Sequence, residues 1–474
     1  MNAFTTDFSA DLALESELER DELLEPKAPS RANGEALAAV PADVADALLS
    51  DSSVLRLITA GSVDDGKSTL IGRLLLDSKG VFADQLAAIA RAKHRRTSDD
   101  VLDLALLTDG LEAEREQGIT IDVAYRYFAT PRRKFIVADA PGHEQYTRNM
   151  VTGASTSDVA VVLIDAVRAR DGVLLPQTRR HSTLAHLLGL QHIVVAVNKM
   201  DLVDWDREVF ERIRAAYDDL ASRLGISSYH VLPISALAGD NVVRPSANTP
   251  WYQGPALLPH LESLTLRDDA ANRPLRLPVQ WVARHGGSEI DDFRGYMGEV
   301  ASGVLRVGDA VQVQPSGVEA RVARVLSGGI ELPEAPAGTP VTVVLDRDVD
   351  VSRGDTLVHA AQPAQVARNV VAELCWLDDA PLQPARKYWL KQGTRLTSAK
   401  VRQVLTRRDL QRLDEVAVEE GGLAKNDIGR VIVASRDPLA VDRYEDLPAT
   451  GSFILIDAAT HQTAAAGMIR DIAA

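Results

Sequence analysis

Short apolar runs alternate with amphipathic stretches from residue 54 to about residue 265. The runs are continuously apolar, as in strands that are buried on both faces of a parallel sheet. The predicted strands are Leu55–Ala60, Phe135–Ala138, Val159–Ile164, Ile193–Val197 and Tyr229–Ile234. Their alternation with helices predicts an α/β domain with a doubly wound, mostly parallel sheet, whose ligand lies at the carboxyl ends of the strands.

One amphipathic stretch has a clear helical period. Its apolar positions recur three and four residues apart, at Val209, Phe210, Ile213, Tyr217, Leu220 and Leu224. Gly225 follows directly, and glycine is the residue that most often ends a helix. We therefore predict a helix that stops at Gly225.

Beyond Pro274 the pattern changes to short valine-rich runs separated by Gly, Pro and Asp turns. Examples are Leu277–Val282, Gly308–Gln314 and Thr342–Leu345. This spacing predicts two antiparallel β-barrels that meet near residues 360–368. The predicted domains are an acidic, flexible extension at 1–50, the α/β domain at 51–268 and β-barrel domains at 269–363 and 364–474.

Charge is distributed unevenly along the chain. The formal net charge of -15 argues against a protein that wraps a polyanion. Residues 1–50 alone carry 11 acidic and 3 basic side chains. Two interpretations of this segment stay open: a loosely structured extension without chemistry, or a partner-docking helix around Asp11–Leu24.

A single cysteine, Cys375, excludes an internal disulfide and is typical of a reducing compartment. It lies in a strand-like run, which favours a buried structural thiol over a nucleophile. The N-terminus is acidic and unlike a signal peptide, and the longest apolar run, Val159–Ile164, is far too short to cross a membrane. These features predict a cytoplasmic protein with no membrane partner.

The most informative motif is the phosphate-binding loop G-x-x-x-x-G-K-[ST]. It comprises Gly61, Ser62, Val63, Asp64, Asp65, Gly66, Lys67 and Ser68, and Thr69 follows. The glycines let backbone N–H groups surround the phosphates of a nucleotide, the lysine reaches the outer phosphates, and the Ser68 hydroxyl holds Mg²⁺. One match to this motif does not by itself establish a nucleotide site, so the interpretation depends on the segments that follow it.

Two further segments indicate a switch that senses the γ-phosphate. Gly118-Ile119-Thr120 follows a charged stretch, and Thr120 is expected to complete the Mg²⁺ coordination when that phosphate is present. Asp139-Ala140-Pro141-Gly142-His143 directly follows a predicted strand. We expect Asp139 to hold Mg²⁺ through water, the Gly142 N–H to contact the γ-phosphate and His143 to orient the attacking water.

Asn198-Lys199-Met200-Asp201 indicates which base is bound. A carboxylate at Asp201 can accept hydrogen bonds from both the ring N–H and the amino group of guanine. Adenine would leave it unpaired, at a cost of roughly 1–3 kcal/mol or more. Lys199 is expected to lie across the base, and Asn198 to tie this segment to the phosphate loop. Ser235-Ala236-Leu237 can present backbone N–H groups to the guanine O6. The five segments together predict GTP rather than ATP.

With these residues in view, residues 54–474 resemble the translation-factor class of GTPases, in which an α/β GTPase domain precedes two β-barrels. Segments typical of the class are Pro-Gln-Thr-Arg at 176–179, Gly-Asp-Asn at 239–241 and Asn-Thr-Pro-Trp-Tyr at 248–252. Within the class the chain is most similar to the large, GTP-binding subunits of bacterial sulfate adenylyltransferases, through residues 61–69, 138–150 and 292–296. An elongation factor typically has His in place of Ser62 and Asp65, and Cys-Pro-Gly-His-Ala-Asp-Tyr around residues 140–146.

The resemblance implies two subunits with separate tasks. A small catalytic subunit joins ATP and sulfate to give adenosine 5′-phosphosulfate and pyrophosphate, and GTP hydrolysis by the large subunit drives this uphill step of sulfate assimilation. Some relatives carry a fused adenylylsulfate kinase after the barrels; we expect none here, and whether a separate kinase docks stays open.

The sequence does not reveal a built-in arginine finger, a group worth about 10³–10⁵ in rate. We therefore expect slow hydrolysis unless the catalytic subunit, with its substrates bound, orders the Thr120 loop and positions His143. A monovalent cation near Asp64, as in some relatives, stays open.

A factor that delivers aminoacyl-tRNA is the chief alternative. Residues 386–408 hold eight basic side chains and no acidic one, a stripe that can contact phosphates. We favour a solvated barrel face or a subunit contact, because the surrounding chain is acidic, and we expect no nucleic-acid partner. A scaffold with a dead nucleotide site is the third alternative, but no motif is broken.

Overall fold

The computed structural model describes residues 54–78, 122–143, 146–266, 270–285, 293–384, 386–410, 412–418 and 421–473. The predicted extension at 1–50, with its candidate helix Asp11–Leu24, lies outside these residues.

A six-stranded sheet forms the first part of the fold. Its strands are β1 (Val54–Ala60), β2 (Ala124–Ala129), β3 (Lys134–Asp139), β4 (Val159–Asp165), β5 (His192–Asn198) and β6 (Tyr229–Pro233). The order is β2-β3-β1-β4-β5-β6, and all neighbours are parallel except the edge strand β2, which is antiparallel to β3. The predicted mostly parallel sheet is confirmed, and all five predicted strands are present, although β6 ends one residue before Ile234.

Helices cover both faces of this sheet. They are α1 (Lys67–Asp77), α2 (Thr147–Ala154), α3 (Pro176–Leu187), α4 (Arg207–Leu224) and α5 (Leu257–Ser263), with a 3₁₀ helix at Met200–Val203. One hydrophobic core lies under α1 and α5, and the other lies under α2, α3 and α4. The predicted helix is α4, which ends at Gly225 with a φ of 78°. Within the described residues, no helix is both long and apolar enough to span a membrane.

The next part of the chain is an antiparallel β-barrel. Its strands are β7 (Arg276–Pro278), β8 (Trp281–His285), β9 (Phe293–Glu299), β10 (Val304–Arg306), β11 (Ala310–Gln314), β12 (Val318–Ser327), β13 (Ile330–Leu332), β14 (Glu334–Pro336), β15 (Pro340–Leu345) and β16 (Thr356–His359). The main sheet runs β7-β16-β11-β12-β15-β9-β8, with β13 on β12 and a separate β10–β14 pair.

One strand prediction in this barrel is wrong. Leu277–Val282 is not a single strand, because β7 ends at Pro278 and β8 begins at Trp281. β7 pairs with β16, whereas β8 pairs with β9. The chain therefore changes partners in the middle of the apolar run.

The last part of the chain forms a second barrel. Its strands are β17 (Gln365–Trp376), β18 (Lys387–Gln392), β19 (Arg395–Asp409), β20 (Asp414–Ala417), β21 (Ile428–Val441), β22 (Ser452–Asp457) and β23 (Thr463–Ile472), with the short helix α6 (Pro448–Gly451). The order β18-β22-β23-β17-β21-β19-β20 is closed by pairing of β18 with β19. Cys375 on β17 is buried as predicted, and burial raises the pKa of its thiol to about 12. The domain limits given above stay a proposal, and every strand falls within one of them.

The second barrel packs directly against the α/β domain. Cys375, Leu377 and Tyr444 belong to the same hydrophobic core as α2, α3 and α4. The Tyr444 hydroxyl donates to the Leu188 carbonyl oxygen over 2.9 Å. Arg148 Nη2, on α2, donates to the carbonyl oxygens of Leu377 (3.3 Å) and Thr463 (3.0 Å). The helix that follows the candidate switch loop is thus fastened to the barrel.

A buried arginine joins the two barrels. Arg276 on β7 is almost fully buried, and its guanidinium makes a two-point contact with Asp442, at 2.8 Å and 2.9 Å. Its Nη1 also donates to the carbonyl oxygens of Leu275 and Gln362. A planar group with several donors suits this position, where a lysine could not make the same set of bonds.

We expect Arg276→Ala to destabilise the protein by about 3–5 kcal/mol, because it leaves the half-buried Asp442 carboxylate without its cation. Chemical denaturation followed by tryptophan fluorescence measures the change. Arg306→Ala is the matched control, since Arg306 and Glu334 form an exposed pair at 2.9 Å, and such pairs contribute about 0–1 kcal/mol. Equal losses in the two variants would contradict the prediction.

Candidate functional site

The phosphate loop connects β1 to α1 at the carboxyl end of the sheet. Gly66 begins α1 with a φ of 91°, a left-handed conformation that glycine adopts without strain. A Cβ atom at Gly66 would lie 2.4 Å from Asn198 Nδ2, so the close approach of these two segments also requires glycine. The Ser62 N–H donates to Asp65 Oδ2 over 2.6 Å and fixes the loop from within.

Lys67 is buried in the middle of the loop. Its Nζ donates to the carbonyl oxygens of Gly61 (3.2 Å) and Ser62 (2.8 Å). Burial lowers the pKa of Lys67, and nearby carboxylates, Asp139 foremost, oppose that shift. A Cβ atom at Gly142 would lie 2.5 Å from Lys67 Nζ. The loop after β3 therefore reaches the ammonium group because residue 142 is glycine.

Asp139 ends β3 and lies beside Ser68. Thr59 Oγ1 donates to Asp139 Oδ1 over 3.0 Å, and Ser68 Oγ donates to Oδ2 over 3.3 Å. Burial raises the pKa of Asp139, and the charge of Lys67 and these two hydroxyls lower it. A hydroxyl and a carboxylate side by side suit Mg²⁺, which usually takes few protein ligands and completes its shell with phosphate oxygens and water. The described residues contain no cluster of three or more His, Cys, Asp or Glu side chains that could hold a metal ion.

Asn198 joins the two halves of the site. Its Nδ2 donates to the Asp65 carbonyl oxygen over 2.8 Å, and its Oδ1 accepts from the Ala236 N–H over 2.9 Å. The expected tie to the phosphate loop is therefore confirmed. The second bond shows that the Ala236 N–H donates within the protein, and the contact of residues 235–237 with the guanine O6 stays a prediction. Ser235 is also buried, whereas Leu237 is half-exposed.

An ion pair holds Lys199 at the edge of the site. Its backbone is left-handed, with a φ of 62°, and its Nζ lies 2.7 Å from Asp165 Oδ2. Asp165 ends β4, and its other oxygen accepts from the N–H groups of Val167 and Arg168. Asp201 is half-buried in the 3₁₀ helix Met200–Val203, next to the buried Met200. Its contact with guanine stays a prediction.

The sequence analysis missed a histidine that supports the phosphate loop. His181 lies on α3, is buried, and accepts the Gly61 N–H at Nδ1 over 3.0 Å. Burial lowers the pKa of His181 to about 3, so the ring is neutral and carries its proton on Nε2. The segment at 176–179, which is typical of the class, lies just before it and is the one signal that could have identified it.

Arg168 is the second support that was missed. Its Nη1 donates to the Val63 carbonyl oxygen over 2.8 Å and lies 3.6 Å from Asp65 Oδ1. Burial raises the pKa of Asp65 to about 6, while the Ser62 N–H, Lys67 and Arg168 act to lower it. Arg168 thus favours the charged form of a carboxylate that is buried under the loop.

The hydrolytic half of the site is more open. His143 is exposed, and its ring lies 6.2 Å from that of Tyr146, centroid to centroid. Gln177 Nε2 donates to the Gly142 carbonyl oxygen over 3.4 Å, so the start of α3 contacts the loop that carries His143. Thr120, with Gly118 and Ile119, lies outside the described residues.

Comparisons with known proteins agree with this geometry. Residues 52–276 match the family model of the elongation factor Tu GTP binding domain, and residues 369–470 match that of the GTP-eEF1A C-terminal domain-like family. Sulfate adenylyltransferase subunit 1 of Aeromonas hydrophila is 51% identical over 418 residues, which cover 88% of this chain and 86% of that protein. The chain belongs to the sulfate adenylyltransferase subunit 1 family. The subunit 1 of Laribacter hongkongensis is 52% identical over 419 residues, with 88% and 85% covered.

Solved structures share the fold. The S. cerevisiae Ski7 GTPase-like domain bound to GTP superimposes with a TM-score of 0.51 and 17% identity, covering 90% of this chain and 99% of that one. At this identity the likeness concerns the fold alone. The fold class is a P-loop GTPase domain with a mostly parallel sheet, followed by β-barrel domains, as predicted.

Because Asp65 is buried, we predict that the stability of the protein depends on pH. Its native pKa of about 6 exceeds the usual aspartate value of 3.8, so the native state binds more protons than the unfolded state between these pH values. Its contribution to stability is therefore fully present below about pH 4 and is lost as the pH rises through about 6. Asp65→Asn keeps an oxygen for the Ser62 N–H and removes the titration. We expect it to raise the unfolding temperature more at pH 7.5 than at pH 5.

The neighbouring exposed Asp64 provides the control for this experiment. Asp64→Asn should change the unfolding temperature equally at the two pH values. Thermal unfolding of both variants, measured without nucleotide, checks the prediction. A change for Asp65→Asn that is the same at pH 5 and pH 7.5 would contradict it.

Proposed function

We propose that this chain is the GTP-hydrolysing subunit of a heteromeric sulfate adenylyltransferase. A smaller subunit binds ATP and sulfate and forms adenosine 5′-phosphosulfate, and hydrolysis of GTP by this chain is coupled to that step. The observation that carries the proposal is the identity of 51% and 52% to sulfate adenylyltransferase subunit 1 over 88% of this chain. The nucleotide motifs at 61–68, 139–143 and 198–201 are all intact, which supports an active GTPase.

Formation of adenosine 5′-phosphosulfate requires free energy, which coupling to GTP hydrolysis would supply. The product contains a mixed anhydride of phosphate and sulfate, which lies well uphill of ATP and sulfate. Hydrolysis of GTP can drive its formation only if the two subunits influence each other's states, and such an influence is reciprocal for the binding steps. GTP turnover by this chain should therefore depend on the substrates of its partner.

We assign recognition of guanine to Asp201. Its carboxylate would accept from the ring N–H and the amino group of the base. One bond of Asn198 ties this segment to the phosphate loop at Asp65, and the other ties it to Ala236. Lys199, held by Asp165, would lie over the base.

We assign binding of the phosphates to Lys67 and to the backbone N–H groups of residues 63–69, since those of Gly61 and Ser62 already donate to His181 and Asp65. Ser68 and Asp139 would hold Mg²⁺, and Thr120 is the third proposed ligand. When bound, Mg²⁺ offsets the negative charge of the phosphate oxygens during transfer. A monovalent cation near the exposed Asp64 is a further proposal, testable by comparing turnover in potassium and sodium salts.

His143 is assigned to orient the attacking water, and the Gly142 N–H to contact the γ-phosphate. His143 is exposed, and its neighbours in the described residues include Tyr146 and the Gly142 loop. We infer that the partner subunit, with its substrates bound, positions His143 for hydrolysis.

One observation favours delivery of aminoacyl-tRNA, namely the basic side chains at 386–408. Four of these eight pair with carboxylates of this chain: Arg386 with Asp457 (2.7 Å), Arg395 with Asp355 (3.1 Å), Arg407 with Asp427 (3.8 Å) and Arg408 with Glu373 (3.0 Å). Half of the stripe is therefore already neutralised. The tRNA alternative is the weaker proposal.

The first experiment compares GTP hydrolysis by this chain alone with hydrolysis in the presence of sulfate adenylyltransferase subunit 2, ATP and sulfate. We expect strong stimulation, with adenosine 5′-phosphosulfate rising together with phosphate release. Omission of sulfate is the control and should abolish product formation. Stimulation by ribosomes and aminoacyl-tRNA, with no response to subunit 2, would support the alternative instead.

Asp201→Asn tests the assignment of the base. The new amide would donate where guanine also donates, so we expect GTP to bind about 10–100-fold more weakly, as loss of a charged hydrogen bond implies. Xanthosine triphosphate, whose 2-oxo group can accept from the amide, should bind better than GTP. Competition against a fluorescent nucleotide measures both. Asp204→Asn, at an exposed neighbouring position, is the control, and unchanged GTP affinity in Asp201→Asn would refute the assignment.

A further inference from the structure

A cavity of about 580 Å³ lies between α2 and the second barrel. Thr152 on α2 and Ser155 directly after the helix are both exposed and line one side, and Ile454 of β22 lines the other. The described residues that line it include two cations, Arg148 and Lys391, and no carboxylate. The cavity is thus mostly apolar and electrically positive.

A positively charged surface continues from this cavity along the outside of the barrel. We call it the basic face, and it consists of Lys387, Trp389 and Lys391 on β18 and Lys400 and Arg402 on β19. Alternate residues of a strand share one side of the sheet, and these four cations are exposed while Trp389 is half-buried. Lys387 Nζ lies 5.2 Å from the centre of the Trp389 ring. Lys391 belongs to both the basic face and the cavity.

The basic face is unfavourable for the isolated chain. Lys387 lies directly opposite Lys400 in the register of β18 and β19, and like charges in that position destabilise a sheet. The chain as a whole has 67 acidic and 52 basic side chains, so carboxylates are abundant elsewhere. An anionic surface that covers the two lysines would remove their repulsion.

We propose that the basic face and the adjoining cavity are the docking site for an acidic segment of the catalytic partner subunit, with an apolar side chain that enters the cavity. This inference rests on the proposed function. Trp389 and Ile454 favour a protein over a nucleic acid, because protein interfaces combine aromatic and aliphatic anchors with a charged rim. Carboxylates of the partner would meet Lys387, Lys391 and Lys400.

The position of this site links docking to hydrolysis. α2 begins at Thr147, a few residues after His143. Arg148 already fastens the first turn of α2 to the barrel, and the cavity exposes the next turn at Thr152. A segment seated there would restrict α2 and, through it, the loop that carries His143. The partner would thereby bias the site toward the arrangement that hydrolyses GTP.

Two variants test the docking site. Lys387→Glu combined with Lys391→Glu reverses two exposed charges, and Thr152→Trp fills the cavity without a change in charge. We expect each variant to bind purified subunit 2 at least tenfold more weakly, and binding of the unaltered chain to weaken as salt is added. Lys134→Glu is the matched control. Lys134 is exposed at the amino end of β3, whereas the phosphate loop lies at the carboxyl ends of the strands. It should bind subunit 2 like the unaltered chain.

Affinity for a fluorescent GTP analogue is measured in parallel and should be the same in all variants. Equal binding of subunit 2 by the unaltered chain and both docking variants would overturn the docking site and leave the proposed function standing. Failure of subunit 2 to bind the unaltered chain would overturn both. Salt-sensitive binding of tRNA that the charge variant loses, with subunit 2 binding retained, would assign the basic face to nucleic acid instead.

Discussion

The nucleotide site depends on keeping one ammonium and two carboxylates out of water at the same place. Lys67, Asp65 and Asp139 are all buried, and an uncompensated buried charge costs several kcal/mol. Each is therefore held by polar partners: the loop carbonyls for Lys67, the hydroxyls of Thr59 and Ser68 for Asp139, and the Ser62 N–H for Asp65. Because these partners come from β1, the start of α1 and the loop itself, a change in the shape of the phosphate loop would expose a buried charge or remove its partners.

The second constraint is the placement of α2 between the sheet and the second barrel. Met150 and Val151 pack into the same core as Tyr444 and Met468 of the barrel. Arg148 adds hydrogen bonds to two barrel carbonyls. A movement of the loop after β3 would have to be accommodated by this packing. Movement of the GTPase site is therefore coupled to the barrel through α2, although the barrel contributes no residue to the proposed nucleotide contacts.

The sequence predicted those parts of the structure that local chemistry determines. Continuous apolar runs identified the parallel strands, and regular spacing with Gly225 identified α4 and its end. The motifs fell at the ends of these strands, as the α/β topology requires. The prediction failed where partners are distant in sequence. Leu277–Val282 reads as one strand, but its two halves pair with β16 and β9.

The supports of the phosphate loop were missed for the same reason. His181 and Arg168 lie 120 and about a hundred residues from the groups they contact, and neither occupies a recognisable motif position. The sequence analysis also did not anticipate the bond from the Ala236 N–H to the Asn198 amide oxygen. Such contacts depend on the three-dimensional distances between acceptors and donors, which spacing along a chain does not encode.

The distribution of bonds within the site bears on how a partner could control it. Three groups of the proposed nucleotide site, Lys67, Asn198 and Asp139, are buried and hydrogen-bonded within the protein. The group proposed to orient water, His143, is exposed. Binding of GTP and its hydrolysis thus rest on different parts of the protein. A partner that acts on α2 and His143 can raise the rate of hydrolysis without altering the affinity for GTP, because only interactions specific to the transition state change the rate of the chemical step. That separation suits an energy-coupling subunit, which must bind GTP tightly and hydrolyse it only when the partner subunit has bound its substrates.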